Sequence, residues 1–441
     1  CATLRQMNDS LPQLLPNKDL DRLRAYRENL DFYNGGQWTA EVRHRERRLT
    51  FNYAKVFIDK VTSYLMSGFN FVVEPEEGSP EAKEKAKRAE EALREVYHQN
   101  NLELLDFDTE IDCAILGDAA HKVTWDSQEK RVRVTAPDVQ GLFCFWVGDD
   151  ISRVYRVASK YTLSDEEIEK LYHLVPKSKK ATIIEDWSQD SFTLWVDDVQ
   201  VESKPNPYGF IPFIIYPNLR EQKKFWCISD LPQIMEPQRE LNRAMSQLSR
   251  ILELSGNPIA VLENIESAED IQVQPGAVWT IPEDAKAYLL DLLQGGGVRL
   301  HIDYIDLIYR ILHDVSESPR AAFGGTPQDL SGVALQIELY SLLQKVHRKR
   351  LIRSIAYEKR NEMILRLLSQ KRGEDFRGLK TRIIWGSVLP QDILRLVQSE
   401  QAMIQTGIHS RRRAMNELGI LDPEMEFQRC LEEEKRLKEA R

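Results

Sequence analysis

The sequence predicts an α+β fold, predominantly helical, and three changes of texture along the chain carry that prediction. Residues up to Gly117 follow helical periodicity, and a block from Ala119 to Val201 switches to runs rich in β-branched and aromatic residues. Helical periodicity then resumes at Ser229 and, interrupted by a few short strands, dominates to Arg441. A chain of 441 residues exceeds what one core serves and allows roughly two to four domains.

In the N-terminal part, Asn52 is placed to cap a helix that buries Val56, Phe57, Val61, Tyr64 and Leu65, with Gly68 to end it. The charged run from Pro80 to Gln99 reads as a solvated helix, because Glu81 and Lys85, then Glu84 and Arg88, stand at i, i+4 spacing. Leu104, Leu105, Phe107, Ile111, Ala114 and Ile115 form the next apolar face, closed by Gly117. Strands are expected at 120–125, 131–135, 142–146, 153–161, 182–187 and 192–201, the last turning at Asp197-Asp198. They make one antiparallel sheet with helical insertions, and the proline-rich stretch 205–218 leads out of it.

From Ser229 a long helix with Pro232 and Pro237 near its start carries Leu241, Ala244, Met245, Leu248, Ile251 and Leu252 on one face, and ends at Gly256-Asn257-Pro258. A compact segment with short strands at 259–262, 271–274 and 278–281 follows, and a helix over 298–315 closes it. A breaker-rich loop, 316–332, then feeds residues 333–372, which contain neither Gly nor Pro. Forty such residues make a helix roughly 60 Å long. Its apolar stripe starts at Leu335, Leu339, Leu342 and Val346, meets His347-Arg348-Lys349-Arg350 where the next buried turn should fall, and resumes out of phase at Leu351, Ile352 and Ile355. The slip predicts a kink or a change of packing partner; a continuous surface helix with a basic face is the alternative. A strand at 381–385 and helices beginning at Pro390, Ser410 and Asp422 complete the chain.

Hydrophobic content of 42% with 29% charged residues excludes a disordered or fibrous chain. There is no long uninterrupted apolar run and no apolar core of a signal peptide after Cys1, so neither secretion nor a membrane span is expected. Five scattered cysteines, Cys1, Cys113, Cys144, Cys227 and Cys430, without metal-ligand spacing, read as reduced thiols in a cytoplasmic setting. No metal or cofactor is expected. A net charge of −9 argues against a protein that grips nucleic acid by neutralising phosphates. The phosphate loop of an ATP-driven motor is absent, as are Gly-x-Ser-x-Gly and His-Glu-x-x-His. The pairs Asp149-Asp150 and Asp197-Asp198 carry the only enzymatic reading, a two-metal nuclease site, against which stands their turn-like context. The chain is therefore expected not to be an enzyme.

Seven short motifs stand in order along the chain: Tyr33-Asn-Gly-Gly-Gln-Trp38, Asn52 to Gly68, Ile115-Leu-Gly-Asp-Ala119, Gly209-Phe-Ile-Pro212 through Asn218, Glu240-Leu-Asn-Arg-Ala-Met-Ser246, Ser331-Gly-Val-Ala-Leu335, and Pro390-Gln-Asp392 with Gly407-Ile-His-Ser410. In this order they resemble the portal proteins of tailed bacteriophages, in particular the family typified by the portal of a Bacillus siphophage with a long non-contractile tail. The resemblance implies a portal-type fold: an outer wing over 1–228 with an antiparallel β-sheet, two stem helices at 229–255 and 298–315, and a small α/β clip at 256–297. A tunnel loop at 316–332, a long tunnel helix with its return to the wing at 333–389, and a helical crown at 390–441 complete it. It implies a homo-oligomeric ring, usually of twelve subunits, at one capsid vertex of the virion, assembled in the host cytoplasm. Double-stranded DNA would pass through it without sequence preference during packaging and ejection. The implied partners are the terminase large subunit, head-completion or adaptor proteins, and the major capsid and scaffolding proteins, with no membrane. Another non-enzymatic phage head or connector protein is the alternative.

Within that scheme Arg320, Phe323, Gly324, Gly325, Thr326 and Gln328 are the candidate DNA-facing residues of the loop. The clip carries Glu263, Glu266, Glu269, Asp270, Glu283, Asp284 and Asp291 against Lys286 alone, a net charge of −6 out of the chain's −9. Such carboxylates either keep DNA sliding or dock a basic motor or connector surface, the alternative being a merely solvated module. Lys345, Arg348, Lys349, Arg350 and Arg353 form the opposite cluster on the long helix. Contacts to neighbouring subunits are the favoured reading, beside transient DNA contacts and a solvated face.

Overall fold

The structure, a computed structural model, describes residues 11–39, 47–77, 79–172, 178–256, 259–264, 284–290, 297–324, 332–388, 393–420 and 423–439. Helices α1 (Leu11–Leu14), α2 (Leu20–Tyr33) and α3 (Tyr53–Leu65) open it, followed by β1 (Phe69–Glu74), α4 (Pro80–Gln99) and α5 (Leu102–Leu116). The strand block comprises β2 (Asp118–Asp126), β3 (Arg131–Thr135), β4 (Leu142–Val147), β5 (Asp150–Ser164), the short helix α6 (Asp165–Tyr172), β6 (Lys180–Ser188), β7 (Ser191–Val196), β8 (Val199–Pro205) and β9 (Phe213–Pro217). Then come α7 (Pro232–Gly256), β10 (Ile259–Glu263), β11 (Lys286–Leu290), α8 (Gly297–Val315), α9 (Gly332–Glu338), α10 (Tyr340–Arg372), β12 (Lys380–Trp385), α11 (Ile393–Gln405), α12 (Arg411–Glu417) and α13 (Pro423–Glu439). The expected strands at 271–274 and 278–281, and Pro390-Gln-Asp392, lie outside the described residues.

Local chemistry explains most of these boundaries. Asn52 accepts from the Lys55 amide to start α3, Ser79 from Ala82 to start α4, and Ser410 from Arg413 to start α12. Gly117, at φ +106°, ends α5 as expected. Asp126 accepts from the amides of Gln128 and Glu129 in the β2–β3 turn, and Asp197, at φ +51°, opens the two-residue β7–β8 turn.

The strands form more than the one sheet expected. Five pair antiparallel in the order β4-β5-β6-β7-β8, and three more in the order β3-β2-β9. The reason is β9, which returns from the proline-rich stretch to pair with the free edge of β2, Asp118 opposite Pro217. Phe69–Glu74, read as part of the helical N-terminal region, is a strand that pairs with β12. That pairing begins where Gly68 and Gly386 meet back to back: a Cβ on Gly68 would stand 2.7 Å from the Gly386 Cα. The β10–β11 pair stands apart as a fourth sheet.

Helix α4 corrects the solvated reading. It buries Ala86, Ala89, Leu93 and Val96 against its neighbours, and Lys85 turns to Asp375, at 3.4 Å, instead of to Glu81. Val56 and Leu104, expected on buried faces, are exposed. The largest core joins α3, α4, α5, β2, β9, α7 and α10, and α10 is packed against α3, α4, β2, β9 and β12.

At the junction of this core, Asp118 accepts the Tyr26 hydroxyl at 2.6 Å and the Cys227 amide at 3.1 Å, joining α2, β2 and the segment before α7. Burial pushes its carboxyl up to about 6, opposed by those two hydrogen bonds and by Arg22 and Arg353. A raised carboxyl pKa means that the folded state keeps a proton which the unfolded chain has already lost, so stability falls as pH rises between about 4 and 6. Relative to Asp118→Asn, the wild type should lose about 3 kcal/mol across that window, read as the difference between their urea unfolding curves at each pH.

Candidate functional site

The slip at His347 to Arg350 predicts a kink or a change of packing partner, and the helix does not kink there. Helix α10 is continuous from Tyr340 to Arg372, and the interruption falls earlier, at Leu339, between α9 and α10. The buried face starts as predicted with Leu339, Leu342 and Val346. It then continues without a phase slip through Lys349, Arg350, Arg353, Ala356, Tyr357, Arg360, Ile364 and Leu368, while Leu351 and Ile355 point outward. The apparent slip arose because basic residues occupy core positions.

Four members of the basic cluster are therefore buried inside their own subunit, which corrects the expected subunit contacts. Lys345, Lys349, Arg353, Tyr357 and Arg360 follow one another at spacings that keep them on one ridge of α10. Arg353 and Arg360 are both 0% exposed. Arg353 donates to both carboxylate oxygens of Glu110, at 2.8 to 3.0 Å, and to the carbonyls of Pro217 and Asn218 at 2.8 Å. Arg360 grips both oxygens of Asp106, one at 2.8 Å, and donates to the Tyr97 hydroxyl at 3.1 Å. Desolvation would lower both guanidinium pKa values, but the facing carboxylates raise them, and both guanidinium groups stay charged. His121, fully buried beside the second pair, is held well below its ordinary pKa by desolvation and by Arg360, so it is neutral.

Toward the start of α10, Lys349 and Lys345 share Asp230, Lys345 at 3.2 Å. Against the desolvation that would raise it, the two ammonium groups hold the Asp230 carboxyl well below the carboxylate range. Lys345 also donates to the Ser316 carbonyl at 3.0 Å. The Asp230 amide and the Ser229 hydroxyl both donate to the Ala114 carbonyl. One buried hub thus joins the entry to α7, the exit of α8, the end of α5 and α10. Arg350 closes the other side: it donates to the carbonyls of Tyr64, Leu65, Ser67 and Gly386, capping the C-terminal end of α3. Only Arg348 of the cluster is exposed, paired with Glu317 at 2.5 Å.

The six loop residues divide in three. Gly325, Thr326 and Gln328 lie outside the described residues. Phe323 is not a free aromatic: its ring packs edge-on against Phe57 at 5.2 Å and His313 at 5.3 Å, and its neighbour Ala322 is buried. Arg320 folds back over the Tyr309 ring and toward Asp306 at 3.6 Å, while Gly324, exposed at φ +86°, ends the turn. His313 donates from Nδ1 to the Ser318 carbonyl at 2.5 Å, so the root of the loop is anchored from 313 to 323.

Of the acidic calls, Glu266, Glu269, Asp270, Glu283 and Asp291 lie outside the described residues. Glu263 and Asp284 are exposed at the β10–β11 pair. Glu263 stands opposite Lys286 and accepts from the Tyr288 hydroxyl at 3.2 Å. The carboxylate pairs considered for metal chemistry hold turns: Asp150 accepts from the Ser152 amide and hydroxyl, Asp197 from the Thr182 amide. Among the described residues no His, Cys, Asp and Glu cluster has the arrangement of a metal site.

Sequence reasoning missed Asp106, Glu110 and Asp230. The signal was present in α5, where Asp106, Thr109, Glu110 and Cys113 share the buried side of the helix with Leu102, Ala114 and Leu116. Removing one member of a fully buried pair leaves the other charge uncompensated and costs about 3–5 kcal/mol. Arg353→Ala should lose that much in urea unfolding, and Arg353→Met combined with Glu110→Leu should recover most of it.

Among the described residues no helix is long and apolar enough to cross a membrane. A comparison with curated proteins gives no match. The model of one protein family, described as phage portal protein, SPP1 Gp6-like, matches residues 13–440, so it takes in the hub, the root of the loop and helices α7 and α8 alike. With that match spanning nearly the whole molecule, the chain belongs to the SPP1 Gp6-like family of phage portal proteins, structural components of the virion at its capsid vertex.

Proposed function

We propose that twelve copies of this chain close into a ring whose central channel conducts DNA during packaging and ejection. The observation that carries the reading is helix α8, which is apolar on two sides. Ile308 and Leu312 are buried within the subunit, while Leu300, Tyr304, Leu307 and Ile311, at i, i+4, i+7 and i+11, are exposed as a second stripe. A helix with two apolar sides needs two partners, and a neighbouring copy supplies the second in a ring with a head-to-tail interface. Each exposed side chain of this size contributes about 1.5–3 kcal/mol when buried.

In this reading α7 and α8 are the stem, the β10–β11 pair belongs to the clip, and 316–332 is the tunnel loop. The acidic clip offers DNA no phosphate neutralisation and presents carboxylates to a basic face of the terminase large subunit or of a head-completion protein. The loop root is tied through Lys345 and the Ser316 carbonyl to the buried hub, so force on the loop passes into α10 and the outer domain and not into a surface contact.

Two measurements test the reading. Native mass spectrometry and negative-stain images of the full-length protein should show closed rings, and Leu307→Glu with Ile311→Glu should shift them to single subunits; a wild type that stays monomeric would overturn the ring. Because Ala322 and Phe323 are packed, the clean loop deletion is residues 325–331. It should leave rings intact and lower the DNA content of assembled capsids, and unchanged DNA content would remove the loop from the conduit.

A further inference from the structure

The side of α10 opposite the basic ridge has its own character. Leu351, Ile355, Lys359, Glu362 and Arg366 succeed one another on that side, with Leu351 56% and Ile355 55% exposed. Beside them opens a cleft of about 570 Å³ between α10, β9 and the start of β5, walled by half-buried Val154, Ile215, Phe225, Ile352 and Met363. From Leu351 to Arg366 the ridge runs about 22 Å, the length of roughly four helical turns.

The cleft is basic, although the chain as a whole carries −9. Arg220, Lys224, Lys359 and Arg366 line it, against Glu362 and the buried Asp118, which is already committed to Tyr26 and Cys227. Lys224 pairs with Glu221 and Arg366 donates to the Gly209 carbonyl, whereas Arg220 and Lys359 make no ion pair among the described residues. An apolar wall with unpaired cations at its margin is complementary to one kind of surface: an apolar stripe flanked by carboxylates. A DNA backbone would meet the cations and leave the apolar wall exposed to water.

We propose that this cleft is a docking site for an acidic amphipathic helix of a partner protein, seated with its apolar stripe on Leu351, Ile352 and Ile355 and its carboxylates at Arg220, Lys359 and Arg366. The mode is a helix lying in a groove, where anchors at i, i+4 and i+7 supply the affinity and charge selects the partner. The inference does not depend on ring formation, since the cleft is complete within one subunit.

The test is a fluorescence anisotropy titration of the full-length assembled protein with a labelled helical peptide of about four turns, leucines at i, i+4 and i+7 spacing and glutamates elsewhere. A copy with lysine in place of glutamate is the control. The acidic peptide should bind and the basic one should not. Lys359→Glu with Arg366→Glu, and separately Leu351→Ser with Ile355→Ser, should each weaken binding about tenfold or more while thermal unfolding stays unchanged. Equal binding of both peptides, or binding indifferent to both double variants, overturns the proposal. So does binding to separated subunits but not to the assembled protein, which would put a second copy of this chain in the cleft. Assembly itself is read by native mass spectrometry on the same samples, so a failure of the ring and a failure of the docking site are told apart.

Discussion

Two arginines without solvent exposure, Arg353 and Arg360, face two carboxylates, Glu110 and Asp106, and the rest of the fold is arranged around keeping those four charges paired. Taking a guanidinium and a carboxylate out of water costs several kcal/mol each, and the pair repays that only when its geometry is good and every remaining donor is used. Here Arg353 places its spare donors on the carbonyls of Pro217 and Asn218, at and just after the end of β9, and Arg360 places one on the Tyr97 hydroxyl of α4 while its Nε is left without a partner among the described residues. The ladder therefore sets how α10 sits against α5, α4 and β9 at once. A slide of α10 by one turn would leave buried charges without partners, whereas a purely aliphatic ridge would tolerate it.

The same helix carries this rigidity toward the loop. Lys345 and Lys349 converge on Asp230, and through the Ser316 carbonyl the exit of α8 joins them. Arg350 gathers the carbonyls at the end of α3 and at Gly386. Within about four residues on either side of Lys349, Lys345 ties the loop root at the Ser316 carbonyl and Arg348 pairs with Glu317, while Ala322 packs in an apolar cluster with Val346. Polar ties of this kind are directional, and they hold a position where hydrophobic packing holds only a face.

Much of the fold was legible beforehand because its signals are local. Asn52, Gly117 and the Asp197-Asp198 turn act through backbone groups a few residues away, and each was readable. Phe69–Glu74 was missed because a short strand between helices shows itself only when its partner, β12, arrives more than three hundred residues later. Phe323 looked available because a lone aromatic among small residues carries no mark of burial, and its packing comes from Phe57 and His313 on other elements. The acidic excess around β10 and β11 was read directly from composition, since net charge needs no fold to be counted.

By itself the sequence determined where many of the helices and strands begin and end, that a breaker-rich stretch precedes a long helical segment, and, through motifs in order, the family to which the chain belongs. Only the tertiary structure decided which side of that helix faces inward. Hydropathy assigns lysine and arginine to water, and that assignment holds unless a carboxylate stands opposite in a closed site. For this helix the carboxylates are Asp230, Glu110 and Asp106, separated in sequence from Lys349, Arg353 and Arg360 by 119, 243 and 254 residues. No local pattern encodes a partner at that distance, so a basic stripe that reads as a contact to neighbouring subunits lies instead in the core of the molecule.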